Sequence, residues 1–596
     1  MPAFTTRPVV RGSRAVLTSG HYLASACGLR MIERGGNAFD AAAAMAFCLI
    51  VLEPHNNGIG GEVPILLYSA RDREAFAVSG QGFAPAAFTI DWCREHGIDL
   101  IPGDGYLPAC VPGMVGAWAT VLARWGTKTF AEVLQGAIEL ADRGFPMYEW
   151  LEESLGGFTE LFTQKYPTTA AIYLPEGRPL PSGKLMRNPD LAWTLRQLVA
   201  AEAERGASRI AGIGAACDAF YRGEIAQRIV QYISENPVAD ASGQSHLGLL
   251  TLEDLALWRE RDLVERPVRI THKGLDVCKC NTWTQGVVFQ QQLRLLGGFD
   301  LPAMGHNSCQ YLHVLTECAK LAFADREAYY GDPEFDRVPL EALLRSEYAD
   351  QRRALIGSTA SLEMRPGDVG NGVPDFVGFH VVDDNRRAMG MPPRENAKVA
   401  GPGDTTHLDA ADSQGNMIAA TPSGGWIQSS PVIPGLGFPL GTRGQMFYLN
   451  ARRPNALEGR KRPRATLTPT LVLKDDRPFM AFGTQGGDSQ DQWTLQFFLN
   501  HTEFGMNLQQ ALDAPLVHSG HFPSSFYPRE GKPGRLDAQP RIAAEVIAEM
   551  RRLGHDVQLI GDWANGKVMC VQADHSNGTL LAAASPNGNV AYALGW

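Results

Sequence analysis

Several things are scarce in this chain, and each scarcity removes a class of function. No apolar run is long enough to cross a bilayer. The longest, Ala41 to Leu52, is twelve residues, against the roughly 20 that a membrane helix needs, and has the length of a buried core helix. The first twenty residues hold Arg7, Arg11 and Arg14 but no apolar stretch of the kind a secretory signal carries, so a cytoplasmic location is expected. Positive charge is not in excess: 54 Lys and Arg stand against 64 Asp and Glu, a net charge of −10. That balance argues against nucleic acid or an anionic membrane as the main partner.

The 10 cysteines are scattered from Cys27 to Cys570 and form no disulfide framework. Cys278 and Cys280, with His272, His306 and Cys309 nearby, match no standard zinc spacing. Cys278 also falls in an alternating strand pattern, so packing is its expected role. Gly58-Ile59-Gly60-Gly61 and Gly35-Gly36-Asn37 lack the strand-then-helix setting of a phosphate cradle, and no Gly-Lys-Ser/Thr occurs. Gly35-Gly36-Asn37 reads instead as the end of an amphipathic helix with Arg30 and Arg34 in its last turn, and Asp40 as the cap of the next helix.

What is present is an ordinary globular composition, 44% hydrophobic and 20% charged, with ample core. Phe130, Val133, Leu134, Ala137, Ile138 and Ala141 keep helical spacing. Residues 185–360 are largely helical, with a strand-like insert near 267–280. Residues 357–404 are rich in Gly, Pro, Asp, Asn and Arg and lack periodicity apart from Phe376 to Val382. So long a stretch without structure is uncommon unless it is functional. From residue 405 strands dominate. Thr405–Asp412 and Met417–Thr421 form a hairpin about Ser413-Gln414-Gly415-Asn416. A strand at Leu471–Leu473, a helix near Arg541–Leu553 and strands at Val568–Ala573, Leu580–Ala583 and Val590–Ala593 follow. Antiparallel strands with helices on both sides and no βαβ alternation predict a layered α+β fold.

The most informative stretch is Gly403-Asp404-Thr405-Thr406-His407-Leu408-Asp409-Ala410. A threonine hydroxyl inside a chain is a poor nucleophile. If its own backbone amine is freed, that amine, with a pKa of about 7.7–8, is a general base already attached to it. Taken alone, the stretch reads equally well as the start of a strand, a position threonine favours.

Further motifs decide between these. Asp412-Ser413-Gln414-Gly415-Asn416, Lys461-Arg462-Pro463, Thr468-Pro469-Thr470 and Gly486-Gly487 follow Asp404-Thr405-Thr406-His407 in order. The series resembles the γ-glutamyltransferase (glutathione hydrolase) family of N-terminal-nucleophile hydrolases. Asn37-Ala38-Phe39-Asp40-Ala41-Ala42, Glu53-Pro54, Gly58 to Gly61, Thr251 to Leu255 and Phe323 to Pro333 extend the likeness from about residue 15 to the C-terminus.

The resemblance implies an αββα sandwich and self-cleavage between Asp404 and Thr405. Residues 1–404 would form a large subunit and 405–596 a small one, held together as a heterodimer, with 357–404 a loose segment that moves away after the cut. Thr405 would be the nucleophile and its α-amine the base. Gly486 and Gly487 would supply the oxyanion hole, and Ser423 would bond the new amine. Thr406 and His407 would hold the strand. The expected partner is a small-molecule amide, and no metal or organic cofactor is required.

Substrate is where the likeness breaks. The family arginine that clamps a glutamyl carboxylate falls at Gln81, its paired serines at Ala465 and Thr466, its asparagine at Gly425 and its amine-binding aspartate at Tyr448; Gln445 persists. Charge-assisted bonds are worth roughly 1.5–3 kcal/mol each, so an amidohydrolase for a non-glutamyl acyl group is the first expectation. A genuine γ-glutamyl enzyme is the second, and an uncleaved, inactive scaffold the third. Arg452, Arg453, Arg460, Lys461, Arg462 and Arg464 offer an alternative clamp for an acidic acyl group or else form a solvated basic loop. Phe83, Trp426, Phe447 and Tyr448 suggest either an apolar pocket or plain core.

Overall fold

A computed structural model describes residues 4–206, 208–392, 404–564, 566–586 and 590–596. Two seven-stranded antiparallel sheets dominate it. The strands are β1 (Val10–Gly12), β2 (Ala15–Ser19), β3 (Val63–Ser69), β4 (Glu74–Gly80), β5 (Val264–Glu265), β6 (Val268–His272) and β7 (Leu275–Lys279). They continue with β8 (Leu408–Asp412), β9 (Met417–Ala420), β10 (Thr470–Lys474), β11 (Arg477–Gly483), β12 (Met569–Asp574), β13 (Thr579–Ala584) and β14 (Tyr592–Gly595). One sheet runs β14-β2-β8-β9-β3-β4-β5 and the other β1-β13-β12-β11-β10-β7-β6.

Strand alternation sorts side chains between layers. In β8 and β9, Leu408, Ala410, Ile418 and Ala420 face helices α1 (Tyr22–Glu33), α2 (Ala38–Leu52) and α3 (Phe130–Arg143). Ala411, Met417 and Ala419 face the second sheet, where they meet Leu471, Ala481, Val571 and Ala582. Val472, Met480, Phe482 and Cys570 point the other way, onto α4 (Val287–Leu296), α5 (Cys309–Tyr329) and α7 (Gln490–Thr502). The result is helix, sheet, sheet, helix. The alanines between the sheets let them approach closely, and each buried Val, Leu or Ile contributes roughly 1.5–3 kcal/mol.

Every residue of α2 is buried, as its unbroken apolar run requires. Its cap corrects the sequence reading: Asn37 is the N-cap, accepting from the N–H groups of Phe39 and Asp40 at 3.0 and 3.1 Å. Asp40 sits three positions in and accepts the Asn37 N–H at 2.9 Å, closing a capping box. Asp412 also serves this end, accepting from Ala38 N–H at 2.9 Å while its other oxygen holds the β8–β9 turn. The hairpin is thereby tied to α2.

Phe376 to Val382 is not a periodic element. A loop leads into helix α6 (Val381–Ala388), whose Asp384 is buried against Arg453 (Nε 2.9 Å) and Asn450. Part of the segment before Thr405 is thus docked. Residues 393–403, the remainder of that segment up to Asp404, lie outside the described residues. Among the described residues no helix is long and apolar enough to cross a membrane.

Candidate active site

Strand register gathers the candidate residues at one end of the first sheet. Leu408 pairs with both Ala420 and Ser19, Ala420 with Ile65, and Val63 with Gly80. Thr405 before β8, Ser423 after β9, Glu62 before β3 and Gln81 after β4 therefore share that edge. Isolated bridges join Thr405 to Ser423 and Ser423 to Glu62, so regular strand begins only at Leu408, three residues later than the sequence pattern suggests.

The glycine run Gly58 to Gly61 explains how Ser423 is placed. A side chain on Gly61 would overlap the backbone of Ser423 and Gly424, and one on Gly58 the backbone of Gly425. Gly425 itself has φ +61° and backs onto Gly61. These glycines permit two backbones to touch; they hold the turn that presents Ser423.

Thr405 is 1% exposed and Ser423 fully buried. Their hydroxyl oxygens lie 3.1 Å apart. Ser423 Oγ also donates to the carbonyl oxygen of Asp404 at 2.9 Å, the carbonyl of the 404–405 peptide. Arg443 Nη2 donates to Ser423 Oγ at 2.6 Å, and Arg443 Nε is bound to Glu62. The guanidinium is stacked near Trp426 and Phe526, 4.9 and 5.5 Å from their ring centres. Burial raises Glu62, an effect Arg443 partly offsets.

The second sheet delivers the glycine pair. Gly486 (φ +115°) and Gly487 (φ +53°) follow β11. A side chain on Gly486 would overlap Trp493, and one on Gly487 would come within 2.8 Å of Phe526. Gln485 is bound to the Asp404 carboxylate, and Asp404 Oδ1 accepts the Thr405 N–H at 2.9 Å. His407 joins the sheets. Its Nε2 meets Asp409 at 2.8 Å and its Nδ1 Thr421 at 2.9 Å, while its ring fills the space a Gly483 side chain would need.

Thr406 lies beside Glu53, at the end of α2. Burial raises Glu53 to about 7, the Thr406 hydroxyl and Lys567 lowering it and Asp404 raising it further. Burial likewise raises Asp404, against the opposing charge of Lys567.

The remaining residues named from sequence make contacts of their own, none of them to Thr405 among the described residues. Gln81 Nε2 donates to Gly82 O, and its buried Oε1 has no partner among the described residues, nor does Thr466 Oγ1. Gln445 spends its amide internally, donating to Gly103 O and Thr442 O and accepting from Tyr527 N–H. The Tyr448 hydroxyl is bound to Glu327. Burial alone would raise Glu327, but Arg464, Arg326 and Arg529 around it prevail and hold it at about 2. Arg326 continues to Asp488, next to Gly487.

Most cations of the basic stretch are spent in ion pairs, and Arg452 and Arg460 among them stay solvent-exposed. Arg453 pairs with Asp384, Lys461 with Asp336, Arg462 with Asp332, Arg464 with Glu327 and Arg460 with Glu253. Phe83 and Phe447 are core residues, whereas Trp426 lies under Arg443. Cys278 is buried in β7, opposite Arg269 and Leu471. A cleft of about 480 Å³, lined among others by Thr120, Arg124, Ile213 and Arg259, includes none of the site residues. Sequence reasoning missed Arg443, Glu62, Phe526 and Arg529, which carry no local pattern and are joined only by tertiary contact.

The gamma-glutamyltranspeptidase family model matches residues 24–594. The chain belongs to that family. It is therefore a self-processing N-terminal-nucleophile enzyme with hydrolase or acyltransferase chemistry. It is 30% identical to the glutathione hydrolase-like YwrD proenzyme of Bacillus subtilis (strain 168), over 97% of this chain and 98% of that one. Among solved structures, LmbA2991 is similar at 44% identity and a TM-score of 0.93, with both chains fully covered. The cephalosporin acylase from Bacillus halodurans is similar at 28% identity and a TM-score of 0.82, covering 100% of this chain and 98% of that one.

Proposed function

We propose that Thr405 is the nucleophile of this family member and that it cleaves an amide whose acyl group is not γ-glutamyl. The observation that carries the reading is the Ser423 hydroxyl, which is bonded at once to the Thr405 hydroxyl and to the Asp404 carbonyl. In the uncut chain, Thr405 Oγ attacks the Asp404 carbonyl carbon, with Ser423 donating to the developing oxyanion. The C–N bond breaks, the hydroxyl proton passes to the freed nitrogen, and water hydrolyses the ester. The products are an Asp404 carboxyl and a Thr405 with a free α-amine.

That amine then takes the Thr405 hydroxyl proton as substrate is attacked and returns it to the leaving amine. Gly486 and Gly487 offer N–H donors with no acceptor among the described residues. Fragments 1–404 and 405–596 stay joined: β8 lies between β2 and β9, so the first sheet interleaves strands of both. The near-total burial of Thr405 means that the cut chain must rearrange around it before substrate enters.

A non-glutamyl acyl group follows from the side chains. Where a glutamyl clamp would need a free cation, Gln81 is neutral and the 452–464 cations are paired. Gln445 and Tyr448 are committed internally. The similarity to a cephalosporin acylase supports the same reading. The test is a panel of anilides, γ-glutamyl against the monoamides of dicarboxylic acids, with acyl-Thr405 trapped and located by mass spectrometry. Faster turnover of a monoamide supports the proposal; preference for the γ-glutamyl anilide would replace it with a glutathione hydrolase reading.

A further inference from the structure

We infer that Arg443 is a positioning residue that tunes Thr405 through Ser423, strengthening the oxyanion donor in the uncut chain and keeping the α-amine in its basic form afterwards. This rests on the reading of Thr405 as a self-cleaving nucleophile. The geometry is direct. Arg443 is fully buried, and its Nη2 is 2.6 Å from the one hydroxyl that touches both Thr405 Oγ1 and the scissile carbonyl oxygen. Nη1 is buried with no partner among the described residues. Glu62 holds the opposite edge at Nε, so the cationic end of the ion pair is the one turned to Ser423.

A donor that itself receives a charge-assisted bond is a stronger donor. Ser423 therefore stabilises the oxyanion of self-cleavage better with Arg443 behind it. After the cut, a guanidinium near an amine disfavours the ammonium form. An amine with an ordinary pKa of about 7.7–8 is then a free base in a larger fraction of molecules at neutral pH.

Other charges face the same place. Asp404 and Glu53 favour the ammonium and Lys567 disfavours it; these three also act on one another. Behind Glu53, His21 and His55 are held at about 3 by burial and stay uncharged. His407 and Asp409 pair with each other. Arg443 and Glu62 are the charges that reach Thr405 through Ser423.

The sign of the effect makes it testable. Arg443→Met should raise the midpoint of Thr405 amine labelling by acetic anhydride by about one pH unit, and Glu62→Gln should lower it. Self-cleavage should slow at least about tenfold in Arg443→Met, with Arg443→Lys recovering most of the rate. Breaking one half of a buried pair can prevent folding, so Glu62→Gln/Arg443→Met, which removes both charges, is measured alongside. It should also cleave slowly and show a raised midpoint. Midpoints that do not move, or a double variant that cleaves at the wild-type rate, would overturn the inference alone. A wild type that never cleaves would remove the Thr405 reading and this inference with it.

Discussion

Ser423 Oγ stands 3.1 Å from Thr405 Oγ1 and 2.9 Å from the Asp404 carbonyl oxygen, so one hydroxyl serves the attacking atom and the bond to be broken. Ser423→Ala removes both contacts at little cost in volume. Self-cleavage should fall about 10²-fold, as for loss of one oxyanion donor, while Ser423→Thr should keep most of it. The measurement is the disappearance of full-length chain with time on a denaturing gel.

The ring of His407 occupies the space above Gly483, where the two sheets meet. Gly483→Ala forces a methyl into that ring and should destabilise the protein by about 1–3 kcal/mol. A denaturant midpoint measures this. Because the ring cannot move without breaking its bonds to Asp409 and Thr421, self-cleavage should slow as well.

Gly487 has φ +53° and its missing side chain leaves room for Phe526. Gly487→Ala strains the backbone by about 1–3 kcal/mol and pushes the oxyanion donor off its line. Turnover of the mature enzyme should drop more than its stability does. Parallel rate and melting measurements on processed protein check this.

Glu53 gives a pH dependence with a defined sign. In the unfolded chain its carboxyl ionises near 4.3; in the fold, burial raises it to about 7. Between those values the folded state holds the proton that the unfolded state has lost. Stability therefore falls as pH rises from about 4.5 to 7 and levels off above that. Glu53→Gln cannot ionise. It should match its parent near pH 4 and exceed it by roughly 3 kcal/mol at pH 8, measured by denaturant unfolding in a Thr405→Ala background that stays uncut.

The layered α+β fold is legible because two short strand-forming runs, Leu408–Ala411 and Met417–Ala420, flank a glycine-asparagine turn and no βαβ alternation interrupts the strands that follow. Glycines at 58–61 were visible as a motif, yet their use, packing against residues 423–425, depends on a strand more than 350 residues away. Sequence alone places the N-cap of α2 at Asp40, three residues past the true cap Asn37, because both belong to one capping box. Arg443 sits in a short turn without periodicity, and only the fold brings it to Ser423. The cations between 452 and 464 look free in sequence because their partners, such as Asp332, Asp336 and Asp384, come from distant segments.

The most direct test of the central claim is the N-terminus of the small fragment. Purified wild type and Thr405→Ala should be compared on a denaturing gel, with sequencing of any band. The account predicts fragments of about 44 and about 21 kDa from the wild type, scaled by residue number, the smaller beginning Thr405-Thr406-His407, and an intact variant. A folded wild type that remains whole, or a small fragment starting at any other residue, would contradict it.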